Sequence, residues 1–374
     1  MTTRFGKWLE TEGFAKCFNV VILLAIGLDT LMTGLAGWQR CQSSIWTCVL
    51  GAMTFILGMI VYTQKWITER WPQPKVDIFV GFVSSYLIYQ ILLLLLWLIL
   101  SFFYPFASWR SDGILLTHGM ALLIVTYGFV QTHFIHTKTY TLHLEKLAYP
   151  YRIALVSDLH LGAFVSEKHI QKMVHQINQL HADLVVISGD IIDANNHILN
   201  DPQKLHRISQ AFREIQVKEG IYAVLGNHDP ASDDPIFRQF LTDAKIHLLD
   251  NQTAHTQAIC LVGRSDASHH QRSDVDLKTL DPNHSIVVLD HNPGNIPEAI
   301  TYKADLVLCG HTHKGQFFPI TILTRMANGK HYFYGHETFG RTQAIITSGA
   351  GFFQLPIRIG THNEIVDLQL YPSK

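Results

Sequence analysis

The chain has 374 residues and a formal net charge of −1, and 48% of its residues are hydrophobic against 16% charged. This length exceeds one typical domain, so two or more structural units are expected. Because the charge is balanced and forms no long run, composition gives no support for a nucleic-acid partner. The five scattered cysteines form no CxxC pair, which argues against a disulfide framework or a zinc–thiolate site. The 22 histidines favour metal chemistry instead.

The first third of the chain is strongly apolar. It contains four stretches close to the roughly 20 residues needed to cross a bilayer. None of them contains Lys or Arg, and a set of buried core helices or a cleaved signal peptide fits them less well. We therefore predict an amino-terminal membrane domain over residues 1–136. Its four transmembrane helices are predicted at 17–36, 45–63, 78–104 and 113–133.

Basic residues in the connecting segments predict the orientation. The amino-terminal tail and the loop between spans two and three carry six Lys or Arg residues, whereas the other two loops carry only Arg40 and Arg110. Cytoplasmic loops are enriched in such residues, so a multi-pass protein of a bacterial-type inner membrane with a cytoplasmic carboxyl-terminal domain is expected. Asp29 is the one acidic residue inside a predicted span. A polar-paired structural role is favoured for it over a proton or ion path, which stays open.

Residues 137–374 alternate between short apolar strands and amphipathic helices, which is typical of an α/β sheet buried on both faces. Polar residues follow five of these predicted strands directly. They are Asp158-Leu159-His160, Gly189-Asp190 with Asp193, Gly226-Asn227-His228-Asp229, His291, and Gly310-His311-Thr312-His313.

In open α/β sheets the carboxyl ends of the strands form the ligand site, so these five loops are expected to converge. Their side chains offer oxygen and nitrogen donors without a thiolate, which suits two divalent ions such as Mn, Fe or Zn, with Mn favoured.

The ordered motifs D-x-H, G-D-x-x-D, G-N-H-D, a lone His and G-H-x-H resemble those of the calcineurin-like metallophosphoesterases. The similarity covers about residues 137–374 and is closest to the membrane-associated bacterial branch. It implies a four-layer α-β-β-α sandwich, a calcineurin-like metallophosphoesterase domain, after the membrane helices. The sequence departs from that branch at Lys314, where glycine is usual, and at residues 361–365, where Pro-Pro-Glu-Ile is usual. Neither departure lies at a metal position.

The resemblance also implies roles for the site residues. One metal would bind Asp158, His160, Asp190 and His313, and the second would bind Asp190, Asn227, His291 and His311, with Asp190 bridging. A metal-bridging hydroxide would attack phosphorus. The catalytic residues outside the ligand set would be His228 and Asp229. His228 would contact the phosphate and either protonate the leaving oxygen or stabilise the charge of the transition state, and Asp229 would orient the imidazoles together with Asp193.

Other polar residues carry weaker signals. His336 and Arg341 could contact the substrate, or they could be ordinary surface residues. A solvated loop is favoured over a substrate rim for His269, His270, Arg264 and Arg272. Cys309 lies in an apolar strand and is expected in the core.

The sequence thus predicts a membrane-anchored dimetal phosphoesterase acting on a phosphodiester, phosphomonoester or pyrophosphate. Attachment to a membrane favours a lipid-linked substrate, for example one like UDP-diacylglucosamine, which a related branch hydrolyses. A phosphodiesterase for small nucleotides is an alternative within the enzyme class. A membrane transporter or sensor with a regulatory metal-binding domain is the alternative from a different class.

Overall fold

The computed structural model describes residues 12–41, 44–71, 73–103, 109–193, 197–267, 272, 275, 280–281 and 283–373. The chain divides into two compact units. One contains the helices up to Gln131 together with the short segment Gln354–Ile359. The other contains Thr132–Phe353 and Gly360–Lys374.

The first unit is entirely helical apart from its short carboxyl-terminal segment. Its described helices are α1 (Glu12–Cys41), α2 (Ser44–Tyr62), α3 (Gln64–Arg70), α4 (Pro74–Phe103) and α5 (Trp109–Gln131). Large apolar side chains such as Leu24, Phe102 and Leu123 are exposed on them. Outward-facing apolar groups of this kind fit a lipid environment, where water does not oppose their exposure.

Three of these helices contain described segments long and apolar enough to cross a membrane, at Ile22–Gln39, Pro74–Phe103 and Asp112–Gln131. The second predicted span falls in α2, whose described apolar part, Cys48–Tyr62, is shorter than the others. The described residues therefore support three spanning helices, not clearly the four that hydropathy alone predicts.

The second unit contains two mixed six-stranded sheets. The first has the order β1 (Ile135–Leu144), β12 (Asn363–Pro372), β2 (Tyr151–Val156), β3 (Leu184–Ser188), β4 (Ile221–Val224) and β5 (Ile246–Leu248). Strands β2 to β5 run parallel, so their carboxyl ends reach one edge of the sheet. The last strand of the chain, β12, lies between β1 and β2 and is antiparallel to β2.

The second sheet has the order β10 (Gly335–Phe339), β11 (Thr342–Ile346), β9 (Leu306–Cys309), β8 (Ser285–Asp290), β7 (Ile259–Arg264) and β6 (Thr253–His255). Its four central strands are parallel and its edge strands β6 and β10 are antiparallel to their neighbours. The helices of this unit are α6 (Glu167–Leu180), α7 (Pro202–Arg213), α8 (Pro235–Asp243), α9 (Ile296–Thr301) and α10 (Ile320–Asn328).

The alternation of side chains along each strand builds the layers. In β2, Ile153 and Leu155 join a core that contains residues of both sheets, whereas Ala154 and Val156 join the core beneath α6, α7 and α8. In β8, Val287 and Leu289 face the first sheet and Val288 packs with residues of α9. Successive strand residues point to opposite faces, so both sheets are buried on both sides. This is the predicted α/β fold with helices outside two stacked sheets.

Candidate metal centre

Five polar loops follow β2, β3, β4, β8 and β9, as the sequence predicts. The loops after β2 and β3 are held together by backbone hydrogen bonds, because Asp158 N donates to Gly189 O and His160 N donates to Asp190 O, each at 3.0 Å. From the second sheet, His311 N donates to Asp158 Oδ1 at 3.0 Å. Both sheets therefore contribute strand ends to one buried cluster.

One group of possible metal ligands consists of Asp158, His160 and His313, all buried. The Nε2 atoms of the two imidazoles are 3.0 Å apart, and His313 Nε2 lies 3.4 Å from Asp158 Oδ1. Nitrogen lone pairs do not attract each other, so this approach requires a proton or a cation between the rings.

A second group consists of Asp158, Asp190 and His291. The Oδ2 atom of Asp190 lies 3.2 Å from His291 Nε2 and 3.6 Å from His160 Nε2. The Asp190 carboxylate thus stands between the two groups, which is the position that a bridging ligand would occupy.

The remaining two predicted ligands adjoin the second group. Asn227 Oδ1 lies 3.1 Å from His291 Nε2 and 2.9 Å from His311 Nδ1. The other ring nitrogen of His291, Nδ1, lies 2.8 Å from the Ser188 carbonyl oxygen, to which it can only donate. That hydrogen bond fixes the tautomer and leaves the Nε2 lone pair of His291 facing the cluster, as a metal ligand requires.

The donor set fits two divalent cations. Imidazole and carboxylate ligands lie about 2.0–2.2 Å from such an ion, so two ligands of one ion are separated by about 3.0–3.5 Å in octahedral or tetrahedral geometry. The separations described above fall in or close to this range. All seven predicted ligands are linked by them, without a thiolate.

The pKa shifts of the site residues also bear on how the buried cluster accommodates positive charge. Burial raises the pKa of Asp158. Burial opposes the charged form of His291, but Asp190 and its hydrogen bond outweigh that effect and hold the pKa of His291 well above its usual value. Burial and the nearby His291 lower the pKa of His311 to about 4. In the metal-free protein, the His291 imidazole therefore favours the positively charged form. Metal binding would displace its proton.

The backbone at the site adopts unusual conformations. Asp158, His160, Asp190, His311 and His313 all have φ between 45° and 72°. Asn, Asp and His tolerate this left-handed region better than most residues. At Gly226, a Cβ atom would lie 2.1 Å from Asp190 Oδ1, so only glycine lets β4 approach the bridging position.

The two residues predicted to assist catalysis occupy different environments. His228 is half-buried, and its backbone N donates to Asp190 Oδ1 at 2.9 Å. Burial lowers the pKa of its imidazole. Asp229 is buried, and its two carboxylate oxygens accept hydrogen bonds from Ile192 N and Gly226 N, both at 2.8 Å. Asp229 therefore joins two site loops, and Asp193 Oδ1 lies 3.6 Å from His160 Nδ1, where it can orient that ring.

Phe353 is a site residue that sequence reasoning missed. Its ring stacks on His228 with centroids 4.7 Å apart and lies 5.1 Å from the ring of His160. It comes from the loop after β11, where Gly351 N donates to Asp158 O. The aromatic pair Phe352-Phe353 carries no metal-binding motif, so only the fold identifies which ring covers the imidazoles.

The arginines predicted for a solvated loop are instead bonded within the fold, so that prediction is wrong. Arg264 is buried and its Nε donates to Glu298 at 3.0 Å. Arg272 donates to Asp290, the residue before His291. Burial raises the pKa of Asp290 to about 6, and the Arg272 guanidinium opposes that rise by favouring the ionised carboxylate with which it pairs. His269 and His270 lie outside the described residues.

The other weak candidates lie away from the ligand set. His336 is exposed on β10 and its Nε2 lies 3.1 Å from Gln343 Oε1. Arg341 pairs with Asp305 at 3.2 Å. Cys309 is buried in β9, as expected, and burial raises the pKa of its thiol. At the first departure from the family pattern, the Lys314 ammonium lies 4.3 Å from the centroid of the Tyr334 ring.

At the second departure from the family pattern, residues 361–365, the Glu364 side chain accepts hydrogen bonds from inside the fold. Its Oε1 accepts from Thr347 Oγ1 at 2.8 Å and from Ser348 N at 2.9 Å, and its Oε2 accepts from Tyr334 OH at 2.8 Å. These contacts hold the loop after β11 to β12.

Comparison with known proteins agrees with this geometry. Residues 151–315 match the family model of the calcineurin-like phosphoesterases. An uncharacterized metallophosphoesterase of Helicobacter pylori is 31% identical over 240 residues, which cover 62% of this chain and 63% of that protein. Proteins described as transmembrane proteins with a metallophosphoesterase domain are 30% identical in Danio rerio and 29% identical in Bos taurus. These two matches cover 59% of this chain in each case, and 53% and 52% of the relatives.

The matched region thus spans less than two thirds of each of these relatives. The segment that matches the family model contains the five strand-end motifs that form the buried cluster. Residues 151–315 of this chain thus match the calcineurin-like phosphoesterases, and the ligand geometry of the cluster agrees with that match.

Proposed function

We propose that this chain is a membrane-anchored phosphoesterase with a two-metal site. The observation that supports this proposal most directly is the position of Asp190, whose Oδ2 lies within 3.6 Å of imidazoles from both ligand groups. One cation would bind Asp158, His160, Asp190 and His313. The other would bind Asp190, Asn227, His291 and His311. When bound, two such cations polarise the phosphoryl oxygens and lower the pKa of water between them.

The protein side chains then have distinct tasks. His228 faces the cluster beside Asp190 without being needed as a ligand, so we assign it to the substrate phosphate and to protonation of the leaving oxygen. Phe353 limits the orientations of the His228 ring by stacking on it. Asp229 and Asp193 keep the loops and the His160 ring in place.

The test uses the full chain in detergent with a chromogenic phosphodiester. Activity should require added Mn²⁺, disappear with a chelator and return when Mn²⁺ is restored in excess. Parallel additions of Fe²⁺ and Zn²⁺ would rank the metals. Turnover that persists in metal-stripped protein would overturn the proposal.

A lipid-linked phosphoester is the substrate class we favour over a small nucleotide. The supporting observation is α10, which begins shortly after His313 and buries none of its residues. Phe318, just before α10, and Ile322 and Met326 within it are each more than half exposed, and Arg325 and Lys330 nearby in sequence are exposed as well. Clustered apolar groups flanked by cations suit the acyl chains and anionic headgroups of a lipid surface.

This choice can be separated from the general activity. In the double variant Ile322→Gln/Met326→Gln, turnover of a phosphoester lipid in vesicles should fall, while turnover of a soluble chromogenic phosphodiester should not change. Ile236→Gln, at an exposed apolar residue of α8, is the matched control. Equal effects on both substrates would reject the lipid-linked class without rejecting the two-metal enzyme.

We also propose that the phosphoesterase domain faces the cytoplasm of a bacterial-type cell, as the basic residues of the connecting segments indicate. An alkaline phosphatase fused after residue 374 should then be inactive in cells. Activity of that fusion would place the carboxyl terminus outside the cytoplasm.

A further inference from the structure

The helical unit contains a buried polar cluster that the phosphoesterase proposal does not use. Asp29 is almost completely buried near the middle of the apolar segment Ile22–Gln39 of α1. Gln90 of α4 and Thr117 of α5 are buried with it. Hydrophobicity alone does not explain such a cluster, because each polar group at this depth must find a partner or carry a cost.

The side-chain amide of Gln90 connects the members of this cluster. Its Nε2 lies 3.1 Å from Asp29 Oδ1, 3.0 Å from Thr117 Oγ1 and 3.2 Å from His118 Nε2. The two ionisable residues, Asp29 and His118, therefore flank one amide nitrogen.

Hydroxyl groups occupy the remaining positions around the imidazole of His118. Its Nδ1 lies 2.6 Å from Tyr86 OH and its Nε2 lies 2.8 Å from Thr33 Oγ1. Thr33 follows Asp29 by one helical turn, so both side chains lie on the same face of α1. A hydroxyl can accept one proton while it donates another, so Thr33 provides a route between the carboxyl group and the ring.

Two oxygen atoms of the cluster lack a hydrogen-bond donor among the described residues, namely Asp29 Oδ2 and Gln90 Oε1. An ionised carboxylate with a free oxygen is costly in a hydrocarbon environment, whereas a protonated one is neutral and gains a donor. Among the described residues, the ionisable groups around Asp29 on the helices packed against it are His118 and the phenol of Tyr86, and Tyr89 is a second buried phenol of α4. The described part of α2 contributes the hydroxyl of Thr54, which donates to carbonyls of its own helix.

We propose that Asp29 and His118 together bind one exchangeable proton inside the helical unit. The proton resides either on the Asp29 carboxyl, with both side chains neutral, or on the His118 ring, with Asp29 ionised. Either distribution leaves the pair without net charge. Loss of the proton to solvent leaves one uncompensated negative charge, so the pair retains it. Gln90 holds the two sites at a fixed spacing.

Infrared spectroscopy of the full chain in lipid nanodiscs tests this site. The wild type at neutral pH should show a carboxylic-acid C=O band that shifts in D₂O and is lost in Asp29→Asn. Phosphoesterase activity of this variant should equal that of the wild type, since Asp29 is outside the metal centre. Asp229→Asn, Asp290→Asn and Asp158→Asn identify the contributions of other described carboxyl groups whose pKa is raised by burial, to about 7 for Asp229 and about 6 for Asp290. A band that Asp29→Asn leaves unchanged overturns the proposal.

His118→Gln tests the sharing of the proton without altering Asp29. Removal of the ring should confine the proton to the carboxyl, so the C=O band should grow relative to the wild type. An unchanged band would mean that His118 takes no part. This variant also decides the question if Asp29→Asn does not fold, and circular dichroism checks that its helices are retained.

Discussion

The backbone amide of His228 donates a 2.9 Å hydrogen bond to Oδ1 of Asp190, while the other oxygen of the same carboxylate lies 3.2 Å from His291 Nε2. One carboxylate thus connects the loop that carries the proposed acid to the proposed metal ligands. Damage to Asp190 should therefore disturb both the metal site and the position of His228.

Asp190→Asn should remove metal binding and activity together. The amide keeps the size of the side chain but loses the negative charge that would bridge two cations. We expect a fall in kcat of about 100-fold or more, because metal ions contribute several kcal/mol to transition-state stabilisation. Metal content by mass spectrometry and turnover should be measured on the same sample. Asp201→Asn, at the cap of α7, is the control. Full metal content in Asp190→Asn would contradict the bridging role.

His228→Asn should retain both metals and lose turnover by roughly 10²–10⁴-fold, the usual contribution of a positioned acid. If His228 protonates the leaving oxygen, the loss should be larger for a phenyl ester than for a 4-nitrophenyl ester, whose leaving group needs less help. An equal loss with both esters would limit His228 to binding the phosphate.

Phe353→Leu should lower kcat by about 10-fold without removing metal, since an aromatic stacking contact contributes about 0.5–1.5 kcal/mol to ring placement. The ring of Phe353 contacts His228 and His160, which are on different loops. Phe353→Tyr should restore most of the activity. Phe352→Leu, at the adjacent ring that meets the His169 ring edge-on, is the matched control for a general packing effect.

Gly226→Ala should abolish metal binding although it changes no ligand. The added Cβ would meet Asp190 Oδ1 at 2.1 Å and the Asp190 backbone N at 2.4 Å, so β4 or the Asp190 loop must move. Overpacking of this kind costs about 1–3 kcal/mol or more of folding free energy. Gly119→Ala, where the Cβ meets open space and φ, as at Gly226, is not positive, is the control for the exchange itself.

Metal-free protein should lose stability as the pH rises above neutral. The pKa of His291 is raised in the metal-free fold, so folding favours its protonated form. That contribution is fully present below the ordinary histidine pKa of 6.5 and is lost as the pH rises through the raised value. With Mn²⁺ bound, the dependence should reverse, because protons compete with the metal at low pH. Thermal unfolding at several pH values, with and without Mn²⁺, measures both slopes.

The sequence alone predicted which polar residues lie together at the strand ends, because each apolar strand is followed directly by its polar residues. It was not sufficient for Phe353, whose role depends on a loop crossing from β11 to the ends of β2 and β4. It also missed the pairing of Arg272 with Asp290 and of Gln90 with His118, since nothing in the spacing of distant side chains indicates contact. The second of the four predicted spans stays a prediction, because the described apolar part of α2, Cys48–Tyr62, is shorter than the other three segments.

The left-handed backbone at five predicted ligands changes how alanine substitutions there should be interpreted. Asp and His are enriched in this conformation relative to alanine. They therefore suit these positions both as metal ligands and by their backbone preference. An alanine at Asp158 or His160 removes a donor and also disfavours the local chain geometry. Inactivity of such a variant would therefore mix lost chemistry with a displaced loop. Asp→Asn and His→Asn exchanges keep the backbone preference, and they isolate the chemistry of this site.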